Sequence, residues 1–324
     1  MATIKDVAKM ANVSVATVSR CLNGNGYVGL KSKEAIEQAI RALDYKPNLI
    51  ARSLSTKQMQ TIGLIVPDIM NPFFPELARA IEDTALKAGY TVILCNSDEQ
   101  AEKEIHYIES LQQKYIAGFI IASNQLTNEQ YCKLNVPIVL LDRVFENDVP
   151  SVTSNNQFGA EIATNYLLTR NVKELAFFSG PKNLEPIQQR LTGFSQAVAE
   201  KNIKTHIFES LFDFLHAEQS AFEALSKYPT IDAVFASSDV IAMGVLKAAH
   251  KLGIRVPDEL QVIGFDGIAM GEIVTPSLTT VAQNIYALGE AATKMLVQQI
   301  KGEPLLEKHI TIEPNLIVRG TTKE

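Results

Sequence analysis

The chain has 324 residues, 46% of them hydrophobic, enough to bury a large core and form more than one folding unit, which excludes a disordered protein. Its formal charge of −6 hides a division: residues 1–58 carry nine Lys and Arg against four acids, a net of +5, and the remainder carries 21 against 32, a net of −11. A basic head on an acidic body is the pattern of a DNA-binding module joined to a domain that stays off DNA.

Thr3-Ile4-Lys5-Asp6-Val7-Ala8-Lys9-Met10-Ala11 and Val13-Ser14-Val15-Ala16-Thr17-Val18-Ser19-Arg20 read as two short helices joined by a tight turn, a helix-turn-helix. Ile4, Val7, Ala8 and Met10 on the first helix and Val18 and Leu22 on the second supply the facing apolar stripes, with small Ala8 and Ala11 allowing close approach. Ser14 is placed to cap the second helix, whose first residues are those a recognition helix points at base edges. Val15, Ala16 and Arg20 are then the readers, and Ser14, Thr17 and Ser19 sit where phosphate or capping bonds form. Thr3 and Asn23, at the outer ends of the pair, complete the DNA-contacting set expected of the head. A helical hairpin without a ligand is the alternative, and the head's charge favours DNA.

Asn23-Gly24-Asn25-Gly26 is a turn cluster, after which Ser32 is expected to cap a third helix with Ala35, Ile36, Ala39, Ile40 and Leu43 on its apolar side. Pro47 then breaks the chain and Asn48 restarts it as the cap of residues 49–54, a helix too short to stand alone. If two copies meet on a duplex, Ile50 and Ala51 can pack across the dimer axis while Leu54 enters the minor groove as a wedge. Asn48, Ala51, Arg52 and Leu54 are the DNA-contacting candidates of this hinge, and an ordinary linker is its alternative. The domain boundaries expected are 1–58 for head and hinge and 59–324 for the core.

From Thr61 onward short apolar strands alternate with helical stretches: 62–66, 91–94, 118–121, 138–141, 175–178, 233–236 and 261–264. Continuous apolar strands separated by helices argue an α/β core of parallel sheets covered on both faces. Polar residues follow the strands: Asn71, Asn96 and Asp98, Asp142 and Arg143, Asp239, and Asp266. Ligands of open parallel sheets bind outside the carboxyl ends of the strands, so the set marks a cleft, although any one of these residues can equally cap the next helix.

Asp142, Asp266 and Asp98 can accept paired hydroxyl bonds, Arg143 and Arg190 can donate, and Phe73, Phe74 and Phe212 can cover the apolar face of a ring. A neutral polyol fits this set, while Gly264-Phe265-Asp266-Gly267 places an acid where a phosphate would be repelled. For Phe73 and Phe74 simple core packing is equally open, since Pro72-Phe73-Phe74-Pro75 also begins a helix.

Catalysis finds little support. The serine-elbow pattern is absent, the five histidines have no ligand spacing, and Gly24-Asn25-Gly26 lacks the context of a dinucleotide site, so no enzyme, cofactor or metal is expected. Cys21, Cys95 and Cys132 form neither a disulfide framework nor a zinc spacing and read as small core or surface residues. No apolar run approaches the ~18 residues of a membrane span and the first residues begin a helix instead of a secretion signal, so a cytoplasmic protein is expected.

With these residues in place, the chain resembles the bacterial lactose-repressor family, and within it the ribose operon repressors. The head segments 3–8 and 13–20 and the hinge Pro47-Asn48 to Ala51-Arg52-Ser53-Leu54 carry that resemblance. The core is similar to periplasmic ribose-binding proteins in Asn71-Pro72-Phe73-Phe74, Leu141-Asp142-Arg143, Gln189-Arg190-Leu191-Thr192-Gly193-Phe194, Gly264-Phe265-Asp266-Gly267 and Ala282-Gln283. It implies a sugar site lined by Asn71, Phe73, Phe74, Asp142, Arg143, Arg190, Phe212, Asp266 and Gln283, with Ser238 where the ribose-binding pattern has an Asn. A hydroxyl there replaces an amide.

The resemblance further implies two similar subdomains crossed near Asn155, Asn284 and Asn315 and closing on the ligand like a hinge. It implies a homodimeric repressor that ribose or a related pentose releases from a palindromic operator in double-stranded DNA. Two other readings stand beside it. A free-standing sugar-binding protein would need a secretion signal and no basic head. A global catabolite regulator of the same family, controlled by a phosphorylated carrier protein, would need a docking surface and would make no demand on Asp142 or Arg190.

Overall fold

Thr3 starts the first helix by donating its backbone N and its Oγ1 to Asp6 Oδ2, both at 2.8 Å. The computed structural model describes residues 2–23, 27–45, 60–123, 125–145 and 149–323. Its chain divides into two units, Met1–Met59 and Gln60–Glu324.

In the first unit α1 (Ile4–Met10), α2 (Val15–Asn23) and α3 (Leu30–Ala42) surround a small core of Val7, Ala8, Ala11, Val18, Ile36 and Ala39. The turn between α1 and α2 places Asn12 in the left-handed region at φ 49°, a conformation that Asn tolerates better than most residues. Ser14 Oγ accepts from Thr17 N at 3.1 Å, the cap expected of it. Two expectations for the head are corrected. Met10 is 55% exposed and lies off the α1–α2 seam. Ser32 lies inside α3, which begins at Leu30 after Gly29; Leu30 is itself exposed, so the helix starts before the apolar stripe that marks it in the sequence. The helix expected of the hinge, with Asn48, Ala51, Arg52 and Leu54, falls on residues outside the described ones.

The second unit alternates strand and helix in two lobes. The first lobe contains β1 (Thr61–Val66), α4 (Phe73–Lys87), β2 (Thr91–Asn96), α5 (Ala101–Gln112), β3 (Gly118–Ile121), α6 (Asn128–Cys132), β4 (Ile138–Leu141) and β5 (Ser151–Ser154). The second contains α7 (Asn156–Leu168), β6 (Glu174–Ser179), α8 (Glu185–Val198), β7 (Lys204–Glu209), α9 (Phe214–Lys227), β8 (Ala233–Ala236), α10 (Asp239–Leu252), β9 (Gln261–Asp266), α11 (Met270–Ile273) and β10 (Thr279–Ala282). The chain then returns with α12 (Ile285–Ile300) and β11 (His309–Ile312) to the first lobe and ends on β12 (Asn315–Ile317) in the second.

One sheet runs β11-β5-β4-β3-β1-β2 and is parallel throughout; the other runs β12-β10-β9-β8-β6-β7, parallel except for β12 against β10. Apolar clusters lie about each sheet, which is why the central strands are continuous apolar runs. Three crossings link the lobes, at residues 154–156, 282–285 and 312–315, the places that the resemblance implied.

All seven expected strands are present. The five others among the described residues, which the sequence did not announce, are edge strands or polar ones: β7, β11 and β12 lie at sheet edges and are largely exposed or short, and β5 and β10 are rich in Ser or Thr.

Candidate functional site

A cleft of about 400 Å³ opens at the carboxyl ends of the strands, walled by both lobes. Its floor is built on Arg190, which α8 delivers 4% exposed. The guanidinium donates Nε to Asn156 Oδ1 at 2.8 Å, Nη1 to Ser237 O at 2.5 Å and Nη1 to Asp266 Oδ1 at 3.3 Å. It lies 3.7 Å over the Phe265 ring, so a desolvated cation is held from one side by π electrons and from its edge by oxygens.

Asp266 ends β9 with φ 123° and receives a second bond from Gln283 Nε2 at 2.7 Å. Gln283 is 1% exposed, and its Oε1 has no hydrogen-bond partner. Asp142 follows β4 in the left-handed region, φ 52°, and accepts Ser154 N through Oδ1 at 3.0 Å. Asn71 Oδ1 accepts Phe73 N at 3.1 Å and so fixes the start of α4, where Phe73 and Phe74 stand edge to face, 5.2 Å between centroids. Phe212 enters from the loop after β7 over Gly180, where a Cβ would collide with its ring. Ser238 caps α10 with Oγ, accepting Ile241 N at 3.2 Å, and also borders the cleft.

Burial sets the electrostatics. It raises the Asp142 carboxyl, against the Ser154 amide and Arg190. It raises Asp266 to about 6, with Arg190 and Gln283 pulling the other way. Arg190 is pushed down by the same burial and held up by Asp266 and Asp142. The cleft is therefore rich in acceptors and holds one deeply buried guanidinium.

Nine of the ten expected ligand residues thus line one cleft. Arg143 does not: its Nη1 donates to Leu126 O at 3.0 Å and its guanidinium sits 4.4 Å from the Phe145 centroid. Asp239 also stands apart from the cleft. Fully buried, it takes Thr280 Oγ1 at 2.5 Å and the amides of Gly267 and Ile268 at 2.8 and 2.9 Å, which fixes the loop that follows Asp266. Asp98 lines the outer wall, bonded to Lys103 and Asn96. Sequence reasoning missed Asp68, Glu99 and Gln125 on the same wall, although each sits just beyond a strand end where the rule applied to Asp142 would have found it. It also missed Asn156, because β5 before it was not recognised.

On the head, Ser14, Val15, Ala16 and Arg20 form the exposed face of α2, Val15 at 41%, and Thr17 and Ser19 are half-buried beside them. Ser14 Oγ and Thr17 Oγ1 lie 2.8 Å apart, and Thr3 is exposed at the start of α1. The side chain of Asn23 lies outside the described residues. Among the described residues no group of His, Cys, Asp and Glu could hold a metal ion, and no helix is long and apolar enough to cross a membrane.

A helix-turn-helix head followed by a two-lobed, parallel-sheet core with a polar interlobe cleft defines a ligand-responsive DNA-binding protein. Residues 3–48 match the bacterial regulatory proteins of the lacI family, and residues 164–322 match a periplasmic binding protein-like domain. A ribose operon repressor of Halalkalibacterium halodurans is 48% identical over 100% of this chain and 98% of its own. The chain belongs to the lacI family of bacterial regulatory proteins, and these relatives are transcriptional regulators.

Among solved structures, a periplasmic binding protein/LacI transcriptional regulator from Alkaliphilus metalliredigens with D-xylulofuranose is 33% identical, TM-score 0.77, covering 82% of this chain and 100% of its own. A LacI family regulator from Enterococcus faecium with bound ribose is 31% identical, TM-score 0.74, covering 81% and 98%. A lac repressor dimer bound to operator is 25% identical, TM-score 0.89, covering 99% of both chains.

Proposed function

We propose that this chain is a homodimeric, cytoplasmic transcriptional repressor that binds a palindromic operator and is released from it by a neutral pentose, ribose or a close relative. Residues 1–58 act as DNA-binding head and hinge, and residues 59–324 as the sugar-binding and dimerisation core. The observation that carries the reading is the acceptor-rich floor of the cleft, where Gln283 Oε1 is buried without a partner beside Asp266 and Arg190. An unpartnered buried oxygen costs about 1 to 3 kcal/mol, which a ligand hydroxyl returns on binding. Phosphorylated ligands meet carboxylates at the same place.

Two similar proteins that hold pentoses, and a relative that carries the name ribose operon repressor, support this class of effector. The lac repressor dimer on its operator supports the two-fold reading of DNA. Thr3, Ser14, Val15, Ala16, Thr17, Ser19, Arg20 and Asn23 are the head's DNA contacts, joined by Asn48, Ala51, Arg52 and Leu54 from the hinge. The sugar contacts are Asn71, Phe73, Phe74, Asp142, Arg190, Phe212, Ser238, Asp266 and Gln283. Sugar closes the lobes on one another, and operator affinity falls by the coupling free energy, typically about 1 to 3 kcal/mol.

A gel shift on a palindromic operator, with ribose, arabinose, fructose and ribose 5-phosphate added in turn, tests the reading. Release by a free pentose is expected. Release by none of these, together with a change of operator affinity on adding a phosphorylated carrier protein, would replace it with the global-regulator reading.

A further inference from the structure

Arg190 reaches the first interlobe crossing through a single side chain. Asn156 is 1% exposed at the first position of α7. Its Oδ1 accepts Arg190 Nε at 2.8 Å, and its Nδ2 donates to Ser154 O at 3.1 Å. Ser154 N in turn donates to Asp142 Oδ1 at 3.0 Å. One amide therefore ties a guanidinium of the second lobe to backbone that the first lobe's Asp142 also holds.

Helix capping does not account for this residue. Asn155 already caps α7, its Oδ1 accepting Phe158 N at 3.2 Å, so the helix start has its partner without Asn156. The bonds of Asn156, which include one to the Asp142 side chain, also need both ends of an amide: a carboxylate could only accept, and an alkyl side chain could do neither. Around it the first crossing is incompletely bonded. Ser154 Oγ is buried there with no hydrogen-bond partner. A polar group left unbonded at the joint of two lobes is a bond available to a different lobe arrangement.

We infer that Asn156 is a positioning residue that transmits occupancy of the cleft floor to the interlobe crossing. An effector hydroxyl that engages the Arg190 guanidinium shifts Nε, and Asn156 carries the shift to the Ser154 backbone and so to the angle between the lobes. This inference rests on the reading of a neutral polyol effector in the cleft.

The test uses the full-length protein, ribose and the operator. Ribose affinity is measured by calorimetry, and operator affinity is measured without ribose and at saturation; the ratio of the two operator affinities is the response. Asn156→Asp keeps the acceptor for Nε, loses the donor to Ser154 O and to the Asp142 side chain, and sets a carboxylate beside the Asp142 carboxyl. Its ribose affinity should weaken, and the response, read at saturating ribose, should still shrink by about threefold or more. Asn156→Ala loses all of these bonds without adding a charge and should show the same smaller response, which keeps the test open if the Asp variant does not fold. A purely structural role would lower the melting temperature and leave the response ratio untouched. A parental ratio in either folded variant overturns the inference. If the parent itself neither binds ribose nor releases DNA with any neutral sugar, the effector reading fails first and this inference falls with it.

Discussion

Gln283 donates to Asp266 Oδ1 at 2.7 Å and leaves its own Oε1 buried and unpartnered. The amide is thereby oriented: its donor end is spent on the protein and its acceptor end is free. With Asp142 and Asp266 beside it, the floor offers oxygens to a ligand that brings hydroxyl hydrogens.

Truncation at this floor should separate sugar binding from DNA binding. Asp142→Ala removes the acceptor that holds Ser154 N, and Gln283→Leu removes the donor to Asp266. The first leaves the Ser154 amide without its acceptor, the second takes one of the two bonds to Asp266 and the free Oε1 as well, and each removes an oxygen that a sugar hydroxyl would bond, at about 1 to 3 kcal/mol, so ribose affinity should fall at least about tenfold. Operator binding without sugar should persist, because neither residue belongs to the head, giving a repressor that does not respond to sugar. Calorimetry with ribose and a gel shift without it decide the matter, and unchanged ribose affinity in both variants would remove these residues from the site.

The cleft should also titrate. Burial raises Asp266 to about 6 from its ordinary 3.8, opposed by Arg190 and Gln283 and reinforced by the neighbouring Asp142. A raised carboxyl pKa favours the protonated folded form, so its contribution to stability is present below pH 3.8 and lost as pH rises through about 6. Ligand binding has the opposite sense, because sugar hydroxyls donate to the ionised carboxylate. Ribose affinity should be level above pH 7 and weaken as pH falls through about 6, by at most about tenfold per unit. Equal affinities at pH 7.5 and 5.5 would show that the ligand does not bond to the ionised Asp266.

What the sequence made legible follows from where energy and position coincide. The central strands declare themselves because both faces are buried, and Asp142 and Asp266 declare themselves because strand ends are where a parallel sheet opens. Arg143 follows Asp142 in the chain but turns away to Leu126 O, an interaction between residues seventeen apart that no local pattern announces. Glu104 is a buried carboxylate on an otherwise ordinary helix, satisfied by Ser123 Oγ and Tyr131 OH, each at 2.5 Å, and by Gln125 N at 3.2 Å. Its partners come from two other elements, so only the fold shows that it braces the cleft wall carrying Ser123 and Gln125.

Packing in the second lobe gives a prediction about stability. Gly193 on α8 faces the start of α7, where an added Cβ would fall against the Gln157 carbonyl oxygen and 3.0 Å from Ala160 Cβ. Backbone is the obstacle, so the helices would have to separate. Gly193→Ala should destabilise the core by about 1 to 3 kcal/mol, read as a lower urea midpoint at unchanged slope. An equal or higher midpoint would mean that the α7–α8 pair is looser than the geometry states.

The head provides a separate test of DNA reading. Arg20 lies on the exposed face of α2 with Val15 and Ala16, inside a segment of net charge +5. Operator affinity should therefore fall steeply with salt, since each phosphate contact releases condensed counterions. If Arg20 reaches a base edge, Arg20→Ala should cost about 1 to 3 kcal/mol of discrimination between operator and random DNA, while the salt dependence changes little. Competition gel shifts at two salt concentrations give both quantities. Uniform weakening on every sequence, with a shallower salt slope, would instead make Arg20 a phosphate contact and leave base reading to Val15, Ala16 and the residues around them.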